Sequence, residues 1–173
     1  MPVPILFRYP RPVDQPPPPT ADEVARGVAR YFHALGWASQ RESPLPNGRR
    51  ADVQAIGPCG RIAIVEIKVS LADLRGDAKW PEYLPWCDRF YWAVPPGFPL
   101  APFADAARGP GRAGLIIADR FEGALLTDPA EVPLAPARRK AETLRFARRA
   151  ALRLMTLADP VLAERAAIEI RSS

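Results

Sequence analysis

The sequence feature that most constrains the fold is an apolar run that ends in charged residues. Residues 62–67 read Ile-Ala-Ile-Val-Glu-Ile and are followed by Lys68. β-Branched residues in an almost unbroken apolar run predict a strand that is buried on both faces. Because side chains alternate along a strand, Glu66 and Lys68 point to one side and Ile67 points to the other. We therefore expect a polar site at the end of a buried strand.

A second strand brings another carboxylate to this place. Residues 57–60, Gly-Pro-Cys-Gly, predict a turn that joins residues 51–56 and 61–68 in a hairpin. If the chain folds back near Cys59, Asp52 lies opposite Glu66 at the ~5 Å typical of cross-strand pairs. A slip of one residue would separate them. Two buried carboxylates that converge repel each other, and a cation between them stabilises the pair.

This pattern has a chemical and a plain structural interpretation. Carboxylate ligands favour Mg2+ or Mn2+, which acidify a bound water into a nucleophile and neutralise charge on a phosphate. Lys68 is placed to orient that water or to stabilise an anionic transition state. The alternative is that Glu66 and Lys68 form an ordinary solvated salt bridge, because Glu-x-Lys tripeptides are common.

The same residues resemble a known group of nucleases. Asp52 followed by Glu66-Ile67-Lys68, after a helix that bears Glu23, is similar to the PD-(D/E)XK nuclease superfamily, with Ala51 in place of the proline. The segments GRRADV (48–53), 65–95, 114–126 and 134–154 resemble the MmcB-like bacterial DNA-repair proteins, over most of residues 20–158. The resemblance implies a nuclease linked to the DNA-damage response.

The resemblance also implies roles for individual residues. Asp52, Glu66 and the main-chain carbonyl of Ile67 would bind Mg2+ (or Mn2+), and Lys68 would activate or orient water. Glu23 would assist from the first helix. From the residues alone, Glu23 is explained equally well as the partner of Thr20 in a capping box.

The remaining patterns predict an α/β fold. Helical periodicity follows Thr20 up to Gly36, and Ser70 with Asp73 opens a second helix. Segments 89–94, 115–118 and 124–127 predict strands, 37–46 an edge strand or loop, and 136–158 and 161–170 helices. We expect a restriction-endonuclease-like core with a central mixed β-sheet flanked by helices and a C-terminal basic helix. The predicted division is a Pro-rich flexible arm (1–19, eight prolines), the core (20–135) and a C-terminal helical extension (136–173).

The charge distribution indicates where DNA would bind. The net charge of +5 arises in residues 138–173, which hold nine Lys and Arg against four Asp and Glu. In the long helix, Leu144, Ala147, Ala151, Leu154 and Ala158 form an apolar seam, so the arginines are expected on an exposed face. Such a face suits a phosphate backbone or is simply solvated. Tyr83 could stack on a base, or pack in the core. The predicted DNA contacts are Arg49, Arg50, Lys79, Tyr83, Arg145, Arg148, Arg149 and Arg153.

Several classes of protein are disfavoured. Cys59 and Cys87 are too few for a disulfide scaffold, lack metal-ligand spacing and are expected to be buried free thiols in a reducing cytoplasm. His33 is the single histidine, which argues against a zinc site. No apolar stretch approaches the ~20 residues of a membrane span. Two rival functions remain: a non-catalytic DNA-binding or adaptor module, and a subunit that binds repair proteins through the Pro-rich arm.

Overall fold

A computed structural model describes residues 17–162 and 164, and it contains one six-stranded sheet. The predicted arm up to residue 16 and most of the predicted final helix, 161–170, lie outside the described residues. The strands are β1 (Ala38–Pro44), β2 (Arg50–Ile56), β3 (Ile62–Ile67), β4 (Arg89–Val94), β5 (Ala113–Ala118) and β6 (Gly123–Thr127). The α-helices are α1 (Ala21–Ala34), α2 (Leu71–Gly76) and α3 (Pro136–Ala158), and 3-10 helices span Trp80–Trp86, Ala101–Ala104 and Ala106–Arg108.

The strands lie in the sheet in the order of the sequence. β1, β2 and β3 form an antiparallel meander, β3, β4 and β5 are parallel, and β6 returns antiparallel to β5. The segment after α1, for which the sequence predicts an edge strand or a loop, forms the edge strand β1. This confirms the predicted α/β class, a mixed sheet flanked by helices that is consistent with a restriction-endonuclease-like fold.

Each face of the sheet has its own core. α1 covers one face, where Val24, Val28 and Phe32 pack against Val53 and Val65. The opposite face is aromatic, because the 3-10 helix Trp80–Trp86 packs on β4 there. Its buried residues include Ile62, Ile64, Trp80, Tyr83, Phe90, Trp92 and Val94. β3 is buried along its whole length, as its apolar sequence predicts.

The orientation of α3 differs from the prediction. The buried positions of this helix are Glu142 and Phe146, whereas Leu144 and Leu154 of the apolar seam are 55% and 66% exposed. Gln40 on β1 donates to the main-chain oxygen of Phe146 at 2.7 Å. The expectation that the seam faces the core is therefore wrong.

The arginines explain why α3 docks in this orientation. Arg149 donates to the carbonyl of Pro44 at 3.0 Å and to the side chain of Gln54 at 3.2 Å. Arg153 donates to the carbonyl of Arg41 at 2.6 Å. These acceptors at the edge of the sheet satisfy the guanidinium groups and draw that side of the helix inwards. Of the four arginines predicted on an exposed face, Arg145, Arg148 and Arg153 are exposed and Arg149 is half-buried, and two of them, Arg149 and Arg153, are engaged by the sheet edge.

A buried carboxylate fixes the start of α3 to the sheet. Asp88 is fully buried and accepts the main-chain N–H groups of Ile62 at 2.7 Å and Leu134 at 2.8 Å. Arg139 of α3 donates to both of its oxygens, at 2.6 and 2.8 Å. Burial favours a raised pKa for Asp88, but Arg139 and the two N–H groups outweigh it and lower the pKa. Asp88 is therefore a charged anchor with its acceptors satisfied.

Candidate metal and active site

The hairpin of β2 and β3 has the register that the sequence predicts. Val53 pairs with Val65 and Ile56 pairs with Ile62, so the fold-back is centred on residue 59. At the next pair of residues, the side chain of Asp52 bonds to β3 and the side chain of Glu66 bonds to β2. Asp52 accepts the N–H of Ile67 at 2.7 Å through Oδ2, and the N–H of Asp52 donates to Oε1 of Glu66 at 3.3 Å. These reciprocal bonds hold both carboxylates at one end of the hairpin.

The pair is electrostatically costly when both groups are charged. Burial, followed by the charge of Asp52, raises the pKa of Glu66 to about 8, although Lys68 opposes this. Burial also raises the pKa of Asp52, against the hydrogen bond from Ile67. The two carboxylates therefore hold protons more tightly than free acids do, and a cation beside them would reverse this preference.

Lys68 is buried and held by a second pair of acids. Its side chain is 8% exposed, and its Nζ lies 2.8 Å from Asp77 and 3.6 Å from Asp73. Burial lowers the pKa of Lys68, but the hydrogen bond and charge of Asp77, with the charge of Asp73, outweigh it and leave the pKa above its ordinary value. Ser70 caps α2 and accepts the N–H of Asp73 at 3.2 Å, which brings Asp73 to this position. Lys68 is therefore a fixed positive charge at neutral pH.

A cavity of about 320 Å³ opens onto the pair, between α1, β1 and the ends of β2 and β3. The acid that α1 contributes to its wall is Asp22. Glu23 lies elsewhere, bonded to the N–H of Thr20 at 2.9 Å and 3.6 Å from Arg120. The predicted place of Glu23 beside the metal site is wrong, because its capping bond turns it away. The lining residues are Ala21, Asp22, Ala25, Arg41, Glu42, Asp52, Glu66, Ile67, Lys68 and Asp73.

Strand β1 supplies two side chains that the sequence did not single out. Arg41 pairs with Asp22 across the cavity, and Glu42 pairs with Arg50 at 2.5 Å. Glu42 has a φ of 52°, the left-handed conformation that non-glycine residues rarely adopt. It lies where β1 skips a pairing position opposite Asp52. Strained backbone beside a cavity is a recurrent feature of functional sites, but no sequence signal marks it here.

The predicted DNA contacts near the site are already partly engaged. Arg49 makes a bidentate ion pair with Glu82, with both N–O distances at 2.8 Å. Arg50 pairs with Glu42 at the rim of the cavity. Lys79 is exposed and lines a second cavity, which shares Lys68 with the first.

Of the two positions that the sequence allows for Tyr83, on a base or in the core, the structure has the second. Lys79 and Tyr83 do not share the face of an α-helix, because Lys79 caps the 3-10 helix Trp80–Trp86 that contains Tyr83. Tyr83 is 7% exposed, its ring stacks on Phe90 with 6.0 Å between centroids, and its hydroxyl donates to the carbonyl of Arg50 at 3.3 Å. Burial raises the pKa of Tyr83, as do the nearby acids. Its ring therefore belongs to the core.

Other candidate ligands are few. Among the described residues no cluster of three or more His, Cys, Asp or Glu could hold a metal ion. Cys87 is buried as expected, whereas Cys59 at the hairpin turn is exposed, and both are free thiols. His33 lies exposed on α1. In the part of the chain that is described, no helix is long and apolar enough to cross a membrane.

Comparisons with known proteins identify the family. A model of the family described as "DNA repair protein MmcB-like" matches residues 10–161. The chain belongs to the MmcB-like family of DNA repair proteins. It is also similar to a solved structure, the SPO1766 protein of unknown function from Silicibacter pomeroyi. The two are 45% identical with a TM-score of 0.72, over 81% of this chain and 92% of that one. No curated protein matches the chain.

Proposed function

We propose that this MmcB-like protein is a metal-dependent DNA nuclease of the PD-(D/E)XK type that acts in bacterial DNA repair. The observation that carries the proposal is the Asp52–Glu66 pair, tied by reciprocal main-chain hydrogen bonds at the wall of a cavity beside Lys68. A carboxylate pair of this kind is costly for a purely structural role, because neither acid has a cationic partner within ion-pair distance among the described residues.

The residues present fit a small divalent cation. Asp52 and Glu66, with the main-chain carbonyl of Ile67, would hold Mg2+ or Mn2+, and the raised pKa of Glu66 is the response expected of a carboxylate beside another without a cation. Mg2+ commonly binds one or two carboxylates and keeps several waters, so two acids suffice. A bound ion would acidify one of its waters and neutralise charge on the phosphate under attack.

We expect Lys68 to orient the attacking water and not to activate it by accepting a proton. Because Asp77 and Asp73 keep it protonated, Lys68 cannot accept a proton from water at neutral pH. It can orient the attacking water by donating a hydrogen bond, and it can stabilise the negative charge that builds on the phosphate. Its buried position makes that charge effective, since low local polarity weakens screening.

The surroundings of the cavity suit a phosphate backbone. Arg41 lines the cavity itself, and Lys79 lines the adjoining one that shares Lys68. Arg50 stands at the rim, 68% exposed at its side chain. Basic groups of this kind bind phosphates without reading sequence. We therefore expect DNA affinity to depend on charge and to fall with added salt.

One observation favours a second function, a DNA-binding or adaptor module without catalysis. Among the described residues no group of three or more acids could hold a metal ion together, and Lys68 is engaged by Asp77 rather than by Glu66. A module of this kind would bind DNA with the same affinity after substitution of Asp52. The nuclease, in contrast, would lose cleavage and metal binding together.

The test is a cleavage assay with metal titration calorimetry. Wild type, Asp52→Asn, Glu66→Gln and Lys68→Ala are incubated with single-stranded, duplex, flapped and branched DNA in Mg2+, Mn2+ or chelator. We expect metal-dependent cutting that falls at least ~100-fold in each variant, the size typical of a lost charge-stabilising group. Glu122→Gln, an exposed acid outside the cavity, is the matched control and should cut normally. DNA binding without cutting or metal binding would refute catalysis.

A further inference from the structure

The second cavity lies next to the candidate active site and has basic residues of its own. Its volume is about 320 Å³, at the lower end of the ~300–1,000 Å³ range of ligand sites. Lys68 and Asp73 line both cavities, so the two cavities meet at these residues. A strand of DNA that leaves the first cavity past Lys68 therefore enters the second.

Two cations of the second cavity are not bound by the acids of its lining. The charged residues that line it are Arg49, Lys68, Asp73, Asp77 and Lys79. Lys68 is the partner of both acids, with its Nζ 2.8 Å from Asp77 and 3.6 Å from Asp73. Lys79 is exposed and has no ion-pair partner among the described residues, and Arg49 is bound from outside the lining, by Glu82. Arg49 and Lys79 are thus the groups that could bind an anion here.

Glu82 holds Arg49 in the way that a phosphate would. The Nε and Nη2 groups of Arg49 donate to the two carboxylate oxygens, both at 2.8 Å. A guanidinium group binds carboxylate and phosphate oxygens through the same two parallel hydrogen bonds. The side chains of Arg49 and Glu82 are 30% and 48% exposed, and exposed ion pairs stabilise a protein little. A phosphate that enters the cavity can therefore replace the carboxylate.

The main chain around this ion pair is held by other bonds. The side chain of Asn47 donates to the carbonyl of Glu82 at 2.9 Å and accepts the N–H of Arg49 at 3.2 Å. The N–H of Glu82 donates to the carbonyl of Lys79 at 2.9 Å. These bonds do not involve the carboxylate of Glu82, so its release from Arg49 leaves the backbone of the cavity in place.

We propose that the second cavity is a phosphate subsite for the DNA strand, where Arg49 and Lys79 bind a backbone phosphate and Glu82 competes with it for Arg49. The inference rests on the proposed function for the path of the strand. The charged lining has a net charge of +1, and Glu82 cancels it. Glu82 is thus expected to limit DNA affinity without changing sequence preference, because phosphate contacts do not read bases.

The test is fluorescence anisotropy of a labelled single-stranded oligonucleotide in chelator, at about 50 to 200 mM salt. Glu82→Gln should bind at least ~5-fold more tightly than wild type at the lowest salt concentration, because Arg49 is then free. Its plot of log affinity against log salt should be steeper by ~0.7, the value for one further phosphate on a single strand. Lys79→Met should make the wild-type plot shallower by ~0.7. In an Arg49→Met background, Glu82→Gln should change the affinity less than ~2-fold, because the two positions act as a unit.

Glu131→Gln is the matched control. It removes the same charge and also releases arginines, since Glu131 lies 2.6 Å from Arg61 and 2.9 Å from Arg89. Arg61 directly precedes β3, whereas Lys68 directly follows it, so these arginines lie at the other end of that strand. Glu131→Gln should keep the wild-type affinity within ~2-fold. Circular dichroism establishes that each variant is folded.

Three results would overturn the proposal. They are a Glu82→Gln variant that binds no more tightly than wild type or not at all, an equal gain from Glu131→Gln, and a full gain from Glu82→Gln in the Arg49→Met background. Binding is measured without cleavage, so the nuclease proposal is tested separately. A protein that shows the expected binding pattern but cuts no substrate in Mg2+ would support the subsite and refute the nuclease.

Discussion

Glu66 should make the metal-free protein less stable as the pH rises, and Glu66→Gln should remove this effect. The pKa of Glu66 is about 8 in the folded chain, against an ordinary value of 4.5. A group whose folded pKa is raised binds its proton more tightly in the folded state. Its stabilising contribution is therefore complete below about pH 4.5 and is lost as the pH rises through about 8.

The magnitude follows from the same numbers. A pKa that moves from 4.5 to about 8 corresponds to about 5 kcal/mol in the free energy of unfolding. Local rearrangement and entry of water weaken electrostatic effects in proteins, so we expect about 2 to 3 kcal/mol to be measured. Glutamine resembles the protonated acid and keeps an oxygen that can accept the N–H of Asp52. Glu66→Gln should thus match wild type near pH 5 and exceed it near pH 9.

The assay is urea unfolding followed by tryptophan fluorescence, in chelator, at about pH 5, 7 and 9. The quantity compared is the difference in free energy of unfolding between the two proteins at each pH, because other titrating groups cancel in it. Glu122→Gln should show the wild-type pH dependence, since Glu122 is exposed. If Glu66→Gln and wild type lose stability in parallel between pH 5 and 9, Glu66 does not have a raised pKa and the electrostatic argument for a cation site fails.

Three further predictions concern metal binding, the Asp88–Arg139 ion pair and the cap of α1. Saturating Mg2+ at neutral pH should raise the free energy of unfolding of wild type by about 1 to 3 kcal/mol, and that of Asp52→Asn by far less, as measured by thermal unfolding. Arg139→Ala should cost about 3 kcal/mol in urea unfolding, because it leaves Asp88 buried and unpaired, while its exposed neighbour Arg138→Ala should cost less than about 1. Glu23→Gln should cut DNA at the rate of the starting protein and unfold at nearly the same urea concentration, since Glu23 caps α1 outside the cavity.

The hairpin site could be predicted from the sequence because it depends on local rules. A two-residue periodicity, an apolar run and one turn fix the register of β2 against β3, and that register places Asp52 beside Glu66. Strand β4 has the bounds that its aromatic and β-branched residues predict. The roles of these residues as metal ligands remain predictions, as does the division of the chain into arm, core and extension.

The errors concern the direction in which side chains of α1 and α3 point. An apolar seam normally identifies the buried face of a helix, but in α3 the carbonyls of β1 satisfy Arg149 and Arg153 and decide which face docks. Glu23 is turned away from the cavity by its capping bond to Thr20, and the neighbouring Asp22 lines the cavity instead. Asp77 is nine residues from Lys68, and the fold alone brings their side chains to 2.8 Å.

The two ends of β3 explain how one fold provides both stability and chemistry. At the start of the strand, Asp88 bonds to Ile62 and is surrounded by donors, so its pKa is lowered and its charge stabilises the structure. At the end of the strand, Glu66 has one main-chain donor at 3.3 Å and a like charge beside it, so its pKa is raised to about 8. Both residues are acids buried against the same strand, and only their partners differ. Glu66, which has too few hydrogen-bond donors, is the carboxylate that opens onto a cavity, and a cation bound there would supply the positive charge that the chain does not.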